Sequence, residues 1–405
     1  MHTTSEIPAH SKTNKVVRRP KKSRHIPSER KTALAVVSGG RCEFRGCAKY
    51  LFEHPISLSD VNLSKHAHIY AFSEDGPRGD DPSRPVDIHG IENLMLMCGD
   101  CHDEIDKNET LYPASRLIEM KREHEERIRY LTGLGPESRT SLLILRGQIA
   151  DRPVDISFDE MRDAVAPRYP IDRKGHVIDV SNLGDDRDSG YFENAARVIR
   201  LRMKDFYARD VDGTALRHLS VFALASIPLL VLLGRNVSDK IQVDFYQRHR
   251  GQPQPWKWQD DTDGSLNFDT QLVKKGDDRS RIGLILSISG KISRDTLPEC
   301  ILDNCPVFEI SLTGEMPDVR ALRRRRDLNA FRHIYSRLLS RISLEYPECR
   351  EIHLFPAVPA PIAVMCGHER LPKIQPTLCV YDNVSQPDGR RRFLLRLKID
   401  DYEQQ

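Results

Sequence analysis

The fold of the N-terminal part of this protein is decided by one stretch of its sequence, Asn93-Leu-Met-Leu-Met-Cys98-Gly-Asp-Cys101-His102-Asp-Glu-Ile-Asp106. The cysteine pair in it has a counterpart upstream, Cys42-Glu-Phe-Arg-Gly-Cys47. These C-x2-C and C-x4-C spacings allow four thiolates to converge on one tetrahedral Zn²⁺, each at about 2.3 Å. Four unligated core cysteines are the alternative, but such paired spacings rarely arise by accident. We therefore predict a structural zinc site that stabilises a module with a thin core. Its ligands are Cys42, Cys47, Cys98 and Cys101.

Polar residues suited to catalysis accompany the cysteines. Between the two pairs lies Lys65-His-Ala-His-Ile-Tyr70. On a strand its two histidines, His66 and His68, point to the same face. If a helix begins near the second cysteine pair, His102 and Asp106 lie one above the other, the spacing for two ligands on one divalent ion. A neutral imidazole is also a suitable general base at neutral pH.

The order of histidine, asparagine, and histidine with an aspartate four residues on, bracketed by cysteine pairs, resembles the HNH endonucleases, the ββα-metal nucleases. The resemblance extends over about Arg41 to Lys107. It implies that His68 is the general base that deprotonates the water attacking phosphorus. It also implies that Asn93 steadies the loop and orients that histidine, and that His102 and Asp106 are metal ligands on the helix.

The sequence departs from the commonest HNH pattern at Ala67, where many relatives place a ligand just before the base. His66 lies on the face of the base and is the predicted substitute. The implied catalytic residues are then His68, Asn93 and His102, and the implied ligands of the catalytic metal are His102, Asp106 and His66. Mixed histidine and aspartate ligands with a phosphate substrate favour Mg²⁺ or Mn²⁺ over zinc at this position. His54 and His89 are predicted to be ordinary surface or core histidines.

The composition limits the class of protein. The chain has 405 residues, 39% hydrophobic and 30% charged, with a formal net charge of +3, which is enough for two or three domains. The longest apolar stretch, Val221 to Leu233, is interrupted by Ser226 and Pro228 and is too short to cross a bilayer, so no membrane association is expected. The first residues lack an apolar signal region. Nine cysteines, four of them clustered, fit a metal site in a reducing compartment better than disulfides. We therefore expect a cytoplasmic protein.

Charge and turn residues divide the chain into four parts. Residues 1–32 form a basic arm, because Lys12 to Lys31 holds nine lysines and arginines against the single acid Glu29. The arm is either a solvated tail or a segment that tracks DNA. Residues 33–130 are the cysteine-containing module, which closes with a helix predicted over Pro113 to Tyr130. Residues 131–140, LTGLGPESRT, have the glycines and proline of a linker. Residues 141–405 form a compositionally different domain.

The C-terminal part alternates β-rich runs with helical periods. Strands are predicted at Ile241–Tyr246, Ile282–Ser289, Val307–Leu312, Glu351–Phe355 and Thr377–Tyr381. Helices are predicted at Gly190–Phe206, Leu216–Leu233, Val319–Glu345 and Pro359–Gly367. The alternation favours an α/β domain with a largely parallel sheet and ligands at the carboxyl ends of its strands.

Three segments of this part carry a second resemblance. They are Leu232 to Trp258, which ends in Trp256-Lys-Trp258; Leu284-Ile-Leu-Ser-Ile-Ser-Gly290; and Ile352-His-Leu-Phe-Pro-Ala-Val-Pro-Ala-Pro-Ile-Ala-Val364. Over about Ser181 to Ile399 the chain resembles the SAVED domain, the cyclic-oligonucleotide sensor fused to effectors in the bacterial anti-phage systems called CBASS. The resemblance implies an α/β domain of two Rossmann-like halves. The predicted fold class is therefore a multidomain α+β and α/β chain, in which a small zinc-stapled ββα-metal (HNH) module precedes a SAVED domain.

The residues also indicate a ligand site in that domain. Tyr246, Arg248, Trp256 and Trp258 recur at even spacings, so in an extended segment they share a face that can stack on bases and meet phosphate. The alternative is that the tryptophans are core anchors. The turns Ser287–Gly290 and Phe355–Pro359 each follow an apolar strand and precede a helix, where free N–H groups favour phosphate. The residues predicted to bind ligand there are Ser289, Gly290, Phe355 and Pro356.

Together the two resemblances imply a DNA endonuclease that a cyclic di- or trinucleotide activates. An HNH module cuts one strand per site, so double-strand cleavage implies a homo-oligomer assembled by ligand. The expected cofactors are structural Zn²⁺, catalytic Mg²⁺ or Mn²⁺, and the cyclic oligonucleotide activator; the expected substrate is double-stranded DNA. One alternative is a zinc-knuckle module that binds nucleic acid without cleavage, and His68 beside His102 and Asp106 argues against it. Another is a restriction-type HNH endonuclease that recognises modified DNA.

Overall fold

The computed structural model divides the chain into two compact units, one up to Leu134 and one from Gly135. It describes residues 23–149, 152–153, 156–172, 174–185, 187–188, 190–208, 216–259, 264–386 and 389–400. Most of the predicted basic arm, residues 1–22, lies outside these ranges. In the part of the chain that is described, no helix is both long and apolar enough to cross a membrane.

The N-terminal unit contains a two-stranded sheet and three helices. In chain order these are α1 (Ser28–Val37), β1 (Lys65–His68), β2 (Leu94–Met97), α2 (Gly99–Lys107) and α3 (Ala114–Thr132). Strands β1 and β2 are antiparallel, with His66 opposite Leu96 and His68 opposite Leu94. All four residues of β2 are buried, whereas β1 buries Ala67 and leaves its histidines partly exposed. The sequence period of two therefore directs both histidines of β1 to one accessible face.

Two consecutive glycines end α1 and lead the chain toward the first cysteine pair. Gly39 and Gly40 have φ angles of 63° and 66°, a left-handed conformation that costs glycine little. Their N–H groups donate to carbonyls of the last turn of α1, Gly39 to Val36 at 3.1 Å and Gly40 to Ala35 at 2.8 Å. Helix α1 begins at Ser28, so the last residues of the segment predicted to be a basic arm, 28–32, are helical.

One sheet of the C-terminal unit is entirely parallel. Its strands are β3 (Arg139–Arg146), β6 (Tyr169–Pro170), β7 (His176–Asp179), β8 (His218–Leu224) and β9 (Gln242–Tyr246). The order is β6, β3, β8, β9, with β7 also paired to β3. A short pair, β4 (Gln148–Ile149) and β5 (Arg152–Pro153), stands apart, and the helices of this half are α4 (Phe158–Val165), α5 (Tyr191–Ala208) and α6 (Ile227–Asn236).

The other sheet has six strands in the order β10, β12, β11, β13, β14, β15. These are β10 (Phe268–Lys274), β11 (Arg281–Ser287), β12 (Val307–Leu312), β13 (Glu351–Ala357), β14 (Thr377–Ser385) and β15 (Arg391–Ile399). The four central strands are parallel and both edge strands are antiparallel. Its helices are α7 (Glu299–Leu302), α8 (Arg325–Glu345) and α9 (Ala360–His368).

Helices α6 and α9 join the two halves of this unit in one core. Both are buried along most of their length, and they meet at glycines. A Cβ atom on Gly234 would lie 1.8 Å from the carbonyl oxygen of Val364, and one on Gly367 would lie 1.8 Å from that of Val231. Only glycine allows so close an approach of two helix backbones. A continuous hydrophobic cluster accordingly contains residues of both sheets.

The predicted elements of the C-terminal part are largely confirmed, with one error. The five predicted strands correspond to β9, β11, β12, β13 and β14, and three predicted helices correspond to α5, α8 and α9. The helix predicted over Leu216–Leu233 is wrong, because the segment contains strand β8 and then α6. All seven residues of β8 are buried, so the strand has no alternating pattern. Pro228 stands in the first turn of α6, where proline begins a helix rather than breaking it.

Candidate functional site

Four cysteine side chains converge at the start of α2. The sulfur atoms of Cys42, Cys47, Cys98 and Cys101 all lie within 4.8 Å of one another. Sulfurs on a tetrahedral Zn²⁺ are separated by about 3.8 Å, given Zn–S bonds of about 2.3 Å, so the four residues fit this ion. Burial raises the pKa of the Cys42 thiol to about 12, and a bound cation would keep this sulfur ionised. The structure therefore brings the four predicted ligands together.

A buried carboxyl group fixes the first cysteine pair to the strand that leads to the second. The N–H of Glu43 donates to the carbonyl of Leu96 at 2.9 Å, and the N–H of Leu96 donates to Glu43 Oε2 at 2.6 Å. Burial raises the pKa of Glu43 to about 8, although the nearby Lys121 ammonium opposes the shift. These reciprocal bonds position both cysteine pairs before any metal binds.

The predicted base, His68, is the last residue of β1 and contacts a second histidine. Its Nε2 lies 3.1 Å from Nδ1 of His89, and Nε2 of His89 lies 2.8 Å from the carbonyl oxygen of Ser23. A carbonyl can only accept, so Nε2 of His89 donates and its Nδ1, in the neutral ring, accepts. His68 Nε2 is then the protonated nitrogen, which leaves the lone pair of His68 Nδ1 available as a base.

The electrostatic surroundings of His68 favour its neutral form. The pKa of this histidine is lowered to about 4, mainly by burial and in smaller part by the positive charge that His89 and His102 can carry, while Asp106 opposes the shift. The imidazole is therefore unprotonated at neutral pH, as a general base must be.

Asn93 is buried and joins the backbone on both sides of the small sheet. Its Oδ1 accepts from the N–H of Tyr70 at 2.8 Å, and its Nδ2 donates to the carbonyls of Tyr70 at 3.0 Å and Ile88 at 2.8 Å. These three bonds fix the chain that leaves β1 directly after His68. Asn93 thus holds the backbone close to His68, and its role in orienting that histidine stays a prediction.

His102 and Asp106 share one face of α2, as their spacing predicts. His102 Nδ1 lies 3.8 Å from Asp106 Oδ2, and both side chains are about one-third exposed. The other carboxylate oxygen, Oδ1, lies 3.3 Å from the guanidinium of Arg78, which also donates to the carbonyls of Ile69 and Ile105. Arg78 therefore ties α2 to the segment that follows β1 and orients Asp106.

The two helical groups fit a hydrated divalent ion. Neighbouring and opposite ligands of Mg²⁺ are separated by about 3.0 and 4.2 Å, given bonds of about 2.1 Å. The 3.8 Å between His102 and Asp106 falls in this range, and Mg²⁺ keeps several waters that a phosphate can replace. Within the described residues, His66 does not join these two in a group whose ligand atoms all lie within 4.8 Å of one another. Its contribution to the metal site stays a prediction.

Two residues of the N-terminal unit that lie beside the candidate site were not predicted from the sequence. His89 was predicted to be an ordinary histidine, but it contacts His68. Arg78 was not singled out and proves to be buried against α2. Neither position has a motif spacing that places it beside His68 or Asp106, because both lie in the long irregular connection between β1 and β2. The one signal available in the sequence is that His89 lies a few residues before Asn93.

In the C-terminal unit, the predicted aromatic face is not formed. Strand β9 ends at Tyr246, so the following residues do not continue an extended segment. Tyr246 and Trp256 are 2% and 1% exposed and pack on Phe222, with ring centroids 4.4 and 5.2 Å away. The prediction that these two side chains stack on bases is corrected: they anchor a core. Arg248 is exposed and Trp258 is partly exposed.

Polar atoms without partners concentrate in the segment after β9. Among the described residues, no hydrogen-bond partner lies within reach of four buried atoms there: Gln247 Oε1, His249 Nε2, Trp256 Nε1 and Trp258 Nε1. Buried polar groups without a partner destabilise a fold and call for an explanation such as a ligand. His249 and Trp258 also form an edge-to-face pair with centroids 5.9 Å apart. This segment is therefore the best candidate for ligand contacts in the unit.

The two predicted phosphate-binding turns lie side by side and are bonded to each other. The N–H groups of Ile288 and Ser289 donate to the carbonyl of Ala357, at 3.0 and 2.8 Å. The N–H of Ser289 is thus already used, and β11 is followed by a short 3-10 helix at Arg294–Thr296 rather than by a long helix. Gly290 is partly exposed beside this turn.

The second turn is mostly core. Phe355 is fully buried against Tyr381 and Phe393, with ring centroids 4.5 and 5.3 Å away, and Pro356 is buried as well. Their side chains are therefore core residues, and the contact of this turn with phosphate, which was expected from its backbone, stays a prediction. Helix α9 begins three residues after Ala357, as the sequence predicts.

A cavity with charged walls opens beside these turns. It has a volume of about 530 Å³, and its charged lining residues are the arginines Arg320, Arg323 and Arg324 and the acids Glu315, Asp318 and Asp327, so its positive charge is local to the arginine side chains. The N–H of Asp318 in the same lining donates to the carbonyl of Ile288, and the carbonyl of Arg323 accepts from the N–H of Gln259. The cavity therefore adjoins both the turn after β11 and the Trp258 segment.

The four arginines at Arg323–Arg326 make different contacts. Arg325 pairs with Asp244 at 2.8 Å, and its guanidinium lies 5.7 Å from the ring of Tyr246. Arg324 and Arg326 donate to the carbonyl of Gly264. Arg323 is exposed and lines the cavity, so it is the member of the run best placed to meet an anion.

Comparison with known protein families agrees with the two units. Residues 37–110 match the HNH_2 family, described as HNH endonuclease. Residues 201–393 match SAVED, the SMODS-associated and fused to various effectors sensor domain. The chain therefore contains an HNH endonuclease domain followed by a SAVED domain. Among curated proteins, none matches the chain.

Solved structures of SAVED/CARF-domain containing receptors are distantly similar. Cap4 from Acinetobacter baumannii with the cyclic trinucleotide 2'3'3'-cAAA is 15% identical, with a TM-score of 0.42 over 74% of this chain and 60% of that chain. Another structure of the Acinetobacter baumannii receptor is 16% identical, with a TM-score of 0.39 over 74% of this chain and 59% of that chain. Cap4 from Moraxella osloensis is 13% identical, with a TM-score of 0.36 over 74% and 59%. The chain thus spans about three-fifths of the length of these receptors.

Proposed function

We propose that this protein is a metal-dependent DNA endonuclease of a bacterial anti-phage system of the CBASS type, activated in the cytoplasm by a cyclic di- or trinucleotide. The proposal rests on one juxtaposition in the sequence: an HNH domain at residues 37–110 and a SAVED domain at residues 201–393 in the same chain. In this proposal the HNH domain cleaves DNA, and the SAVED domain binds the cyclic nucleotide that activates cleavage.

In the proposed reaction, His68 Nδ1 accepts a proton from the water that attacks phosphorus. His89 holds the opposite nitrogen of the ring, and Asn93 holds the backbone next to it. His102 and Asp106 would hold the divalent ion, which offsets charge on the phosphate and on the leaving oxygen. Arg78 keeps Asp106 in place.

The proposed ligand site extends from the Trp258 segment to the part of the cavity lined by Arg323. Trp258 offers a partly exposed ring for stacking on a base, and His249 Nε2 offers a buried polar atom that a base edge would satisfy. Arg323 and Arg248 offer positive charge for the phosphates. Ser289 and Gly290 remain candidates at the edge of this region.

The decisive experiment is plasmid cleavage by the purified protein with Mg²⁺ and a panel of cyclic di- and trinucleotides. We expect one member of the panel to convert an inactive protein into a nuclease. Cleavage that is equal with and without every member would support a restriction-type enzyme, and binding without cleavage would support a zinc-knuckle binding module. Light scattering at saturating activator should show a larger homo-oligomer, since a ligand shifts an equilibrium only toward the form it binds better.

We predict that Trp258→Ala and Arg248→Ala weaken binding of the activating nucleotide and, with it, assembly and cleavage. Stacking on one base is worth about 1–3 kcal/mol, so calorimetry should show a loss of affinity of about 5- to 150-fold for Trp258→Ala. Arg250→Ala, which removes an exposed arginine from the same segment, is the control and should bind normally. Wild-type affinity in both test variants would move the site toward Ser289 and Gly290.

A further inference from the structure

A second group of potential metal ligands lies in the C-terminal unit, away from the proposed nucleotide site. Ligand atoms of Glu351, His353 and Cys379 all lie within 4.8 Å of one another. The group sits on the parallel strands β13 and β14, near the amino ends of the strands. The cavity and turns described above lie at the carboxyl edge of the same sheet.

Strand register places the three side chains on one face. Glu351 and His353 are two residues apart on β13, so they point to the same side. His353 is paired directly with Cys379 of β14 in the parallel register. The imidazole and the thiol thus emerge next to each other from neighbouring strands, and the arrangement is held by the sheet rather than by a loop.

The buried histidine directs one nitrogen at the carboxylate of the group. His353 is 5% exposed, and among the described residues its Nε2 has no partner other than Glu351. This atom lies 3.3 Å from Glu351 Oε2. Nitrogen and oxygen ligands of a tetrahedral Zn²⁺ are about 3.3 Å apart, given bonds of about 2.0–2.1 Å. The separation is therefore that of two ligands on one ion.

The opposite nitrogen of the imidazole is supported as in many metal sites. His353 Nδ1 lies 3.0 Å from the hydroxyl of Tyr381, whose ring packs on Phe355. A histidine that donates its second N–H to a fixed oxygen presents its first nitrogen to a metal in a defined tautomer and orientation. Tyr381 supplies this oxygen from the neighbouring strand.

Charge and access also suit a divalent cation. A thiolate at Cys379 and a carboxylate at Glu351 would together bring two negative charges to an ion of charge +2, and the Lys398 ammonium offsets part of the charge on Glu351. Lys398 contacts the other carboxylate oxygen of Glu351, Oε1, at 2.7 Å, so an ion at Oε2 would replace only the contact with His353. Glu351 also lines a cavity of about 600 Å³, from which a water can supply a fourth ligand.

We propose that Glu351, His353 and Cys379 form a second zinc site, within the sensor domain, with three protein ligands and one position open to solvent. Nitrogen, sulfur and oxygen donors in this combination select Zn²⁺ over Mg²⁺ or Ca²⁺. Because the ion would link β13 to β14, it would fix the strand that leads to the turn at Phe355–Pro359. The site does not depend on the proposed nuclease function.

The test is the zinc content of the full-length protein, measured by mass spectrometry after dialysis against metal-free buffer. We expect Cys379→Ala and His353→Ala to hold about one zinc ion per chain fewer than the wild type. Cys366→Ala removes an equally buried cysteine on α9 and should retain the wild-type content. Equal zinc in the wild type and in a folded Cys379→Ala variant would overturn the proposal and leave an ion pair between His353 and Glu351.

A milder variant covers the case in which these substitutions prevent folding. Tyr381→Phe keeps the aromatic ring in the core and removes only the hydroxyl that bonds His353. Loss of such a supporting group typically weakens metal binding by about 10- to 100-fold, which competition with a chelator would measure. In Co²⁺-loaded protein the thiolate charge-transfer absorption should fall in Cys379→Ala relative to Cys366→Ala. An unchanged zinc affinity and zinc content in folded Tyr381→Phe would by itself reject the site, and unchanged absorption in Cys379→Ala would reject it independently where that variant folds.

Discussion

Replacement of His68 by alanine is expected to reduce activator-dependent DNA cleavage by about 100- to 10,000-fold, the usual contribution of a general base. The residue ends β1, and its ring contacts His89 at the accessible face of the strand. Ala67, its neighbour in sequence, is buried in the core, whereas His68 is only half-buried. The substitution should therefore remove the base without removing a core side chain.

Three further measurements separate a catalytic role from a structural one. The variant should retain the zinc content of the wild type and its affinity for the activating nucleotide, because neither depends on this imidazole. His54→Ala is a matched control, since His54 accepts hydrogen bonds within an exposed loop of the same unit, and should cleave normally. Cleavage by His68→Ala within tenfold of the wild-type rate would contradict the assignment.

The pH dependence of the wild type provides a second readout for His68. Burial lowers its pKa from about 6.5 to about 4, so the base should stay neutral and active below the pH at which an ordinary histidine is protonated. The same lowered pKa that keeps the base active makes the fold less stable at acidic pH. Between these two pH values the unfolded chain binds a proton that the folded chain does not, so this group lowers stability as the pH falls. Activity at mildly acidic pH is therefore expected to end through unfolding rather than through protonation of the base.

The cysteine and helix parts of the nuclease module could be predicted because their information is local. Two cysteine spacings and a histidine four residues before an aspartate define a zinc site and one face of a helix. The contact between His68 and His89 could not be predicted, since it depends on the path of the irregular chain between β1 and β2. The same holds for Glu43, whose buried carboxyl group bonds the backbone of Leu96 across 53 residues of sequence.

In the C-terminal unit, the periodicity of the sequence predicted the central strands but not which side chains of the proposed ligand site are accessible. The even spacing of Tyr246 and Trp256 indicates a shared face only if the chain stays extended, and β9 ends at Tyr246. What the sequence could not indicate was which polar atoms would be buried without partners, because this follows from packing. The zinc ligands proposed in the sensor domain show the same limit. Glu351 and His353 are two residues apart, but Cys379 joins them only through the register of β14.

Substitution of Cys98 by serine is expected to release the zinc ion of the N-terminal unit and to unfold that unit. Binding of a structural zinc contributes about 10–16 kcal/mol of folding free energy in small zinc domains, which equals or exceeds the whole stability of a typical domain, about 5–15 kcal/mol. Serine cannot supply the thiolate, and Cys98 is also the residue from which α2 begins. Circular dichroism should show lost helix, and limited proteolysis should cleave within residues 28–132 while fragments of the C-terminal unit persist.

The control is Cys300→Ser, which alters an exposed cysteine of the other unit and should leave zinc content and protease resistance unchanged. Because a second zinc ion is proposed in the sensor domain, Cys98→Ser should lose about one ion per chain and keep the other. His102 and Asp106 follow Cys98 on the same helix, so the variant should also lose cleavage while it still binds the activating nucleotide. Full zinc occupancy in a folded Cys98→Ser protein would mean that the four cysteines do not share one ion, and α2 would then need another source of its stability.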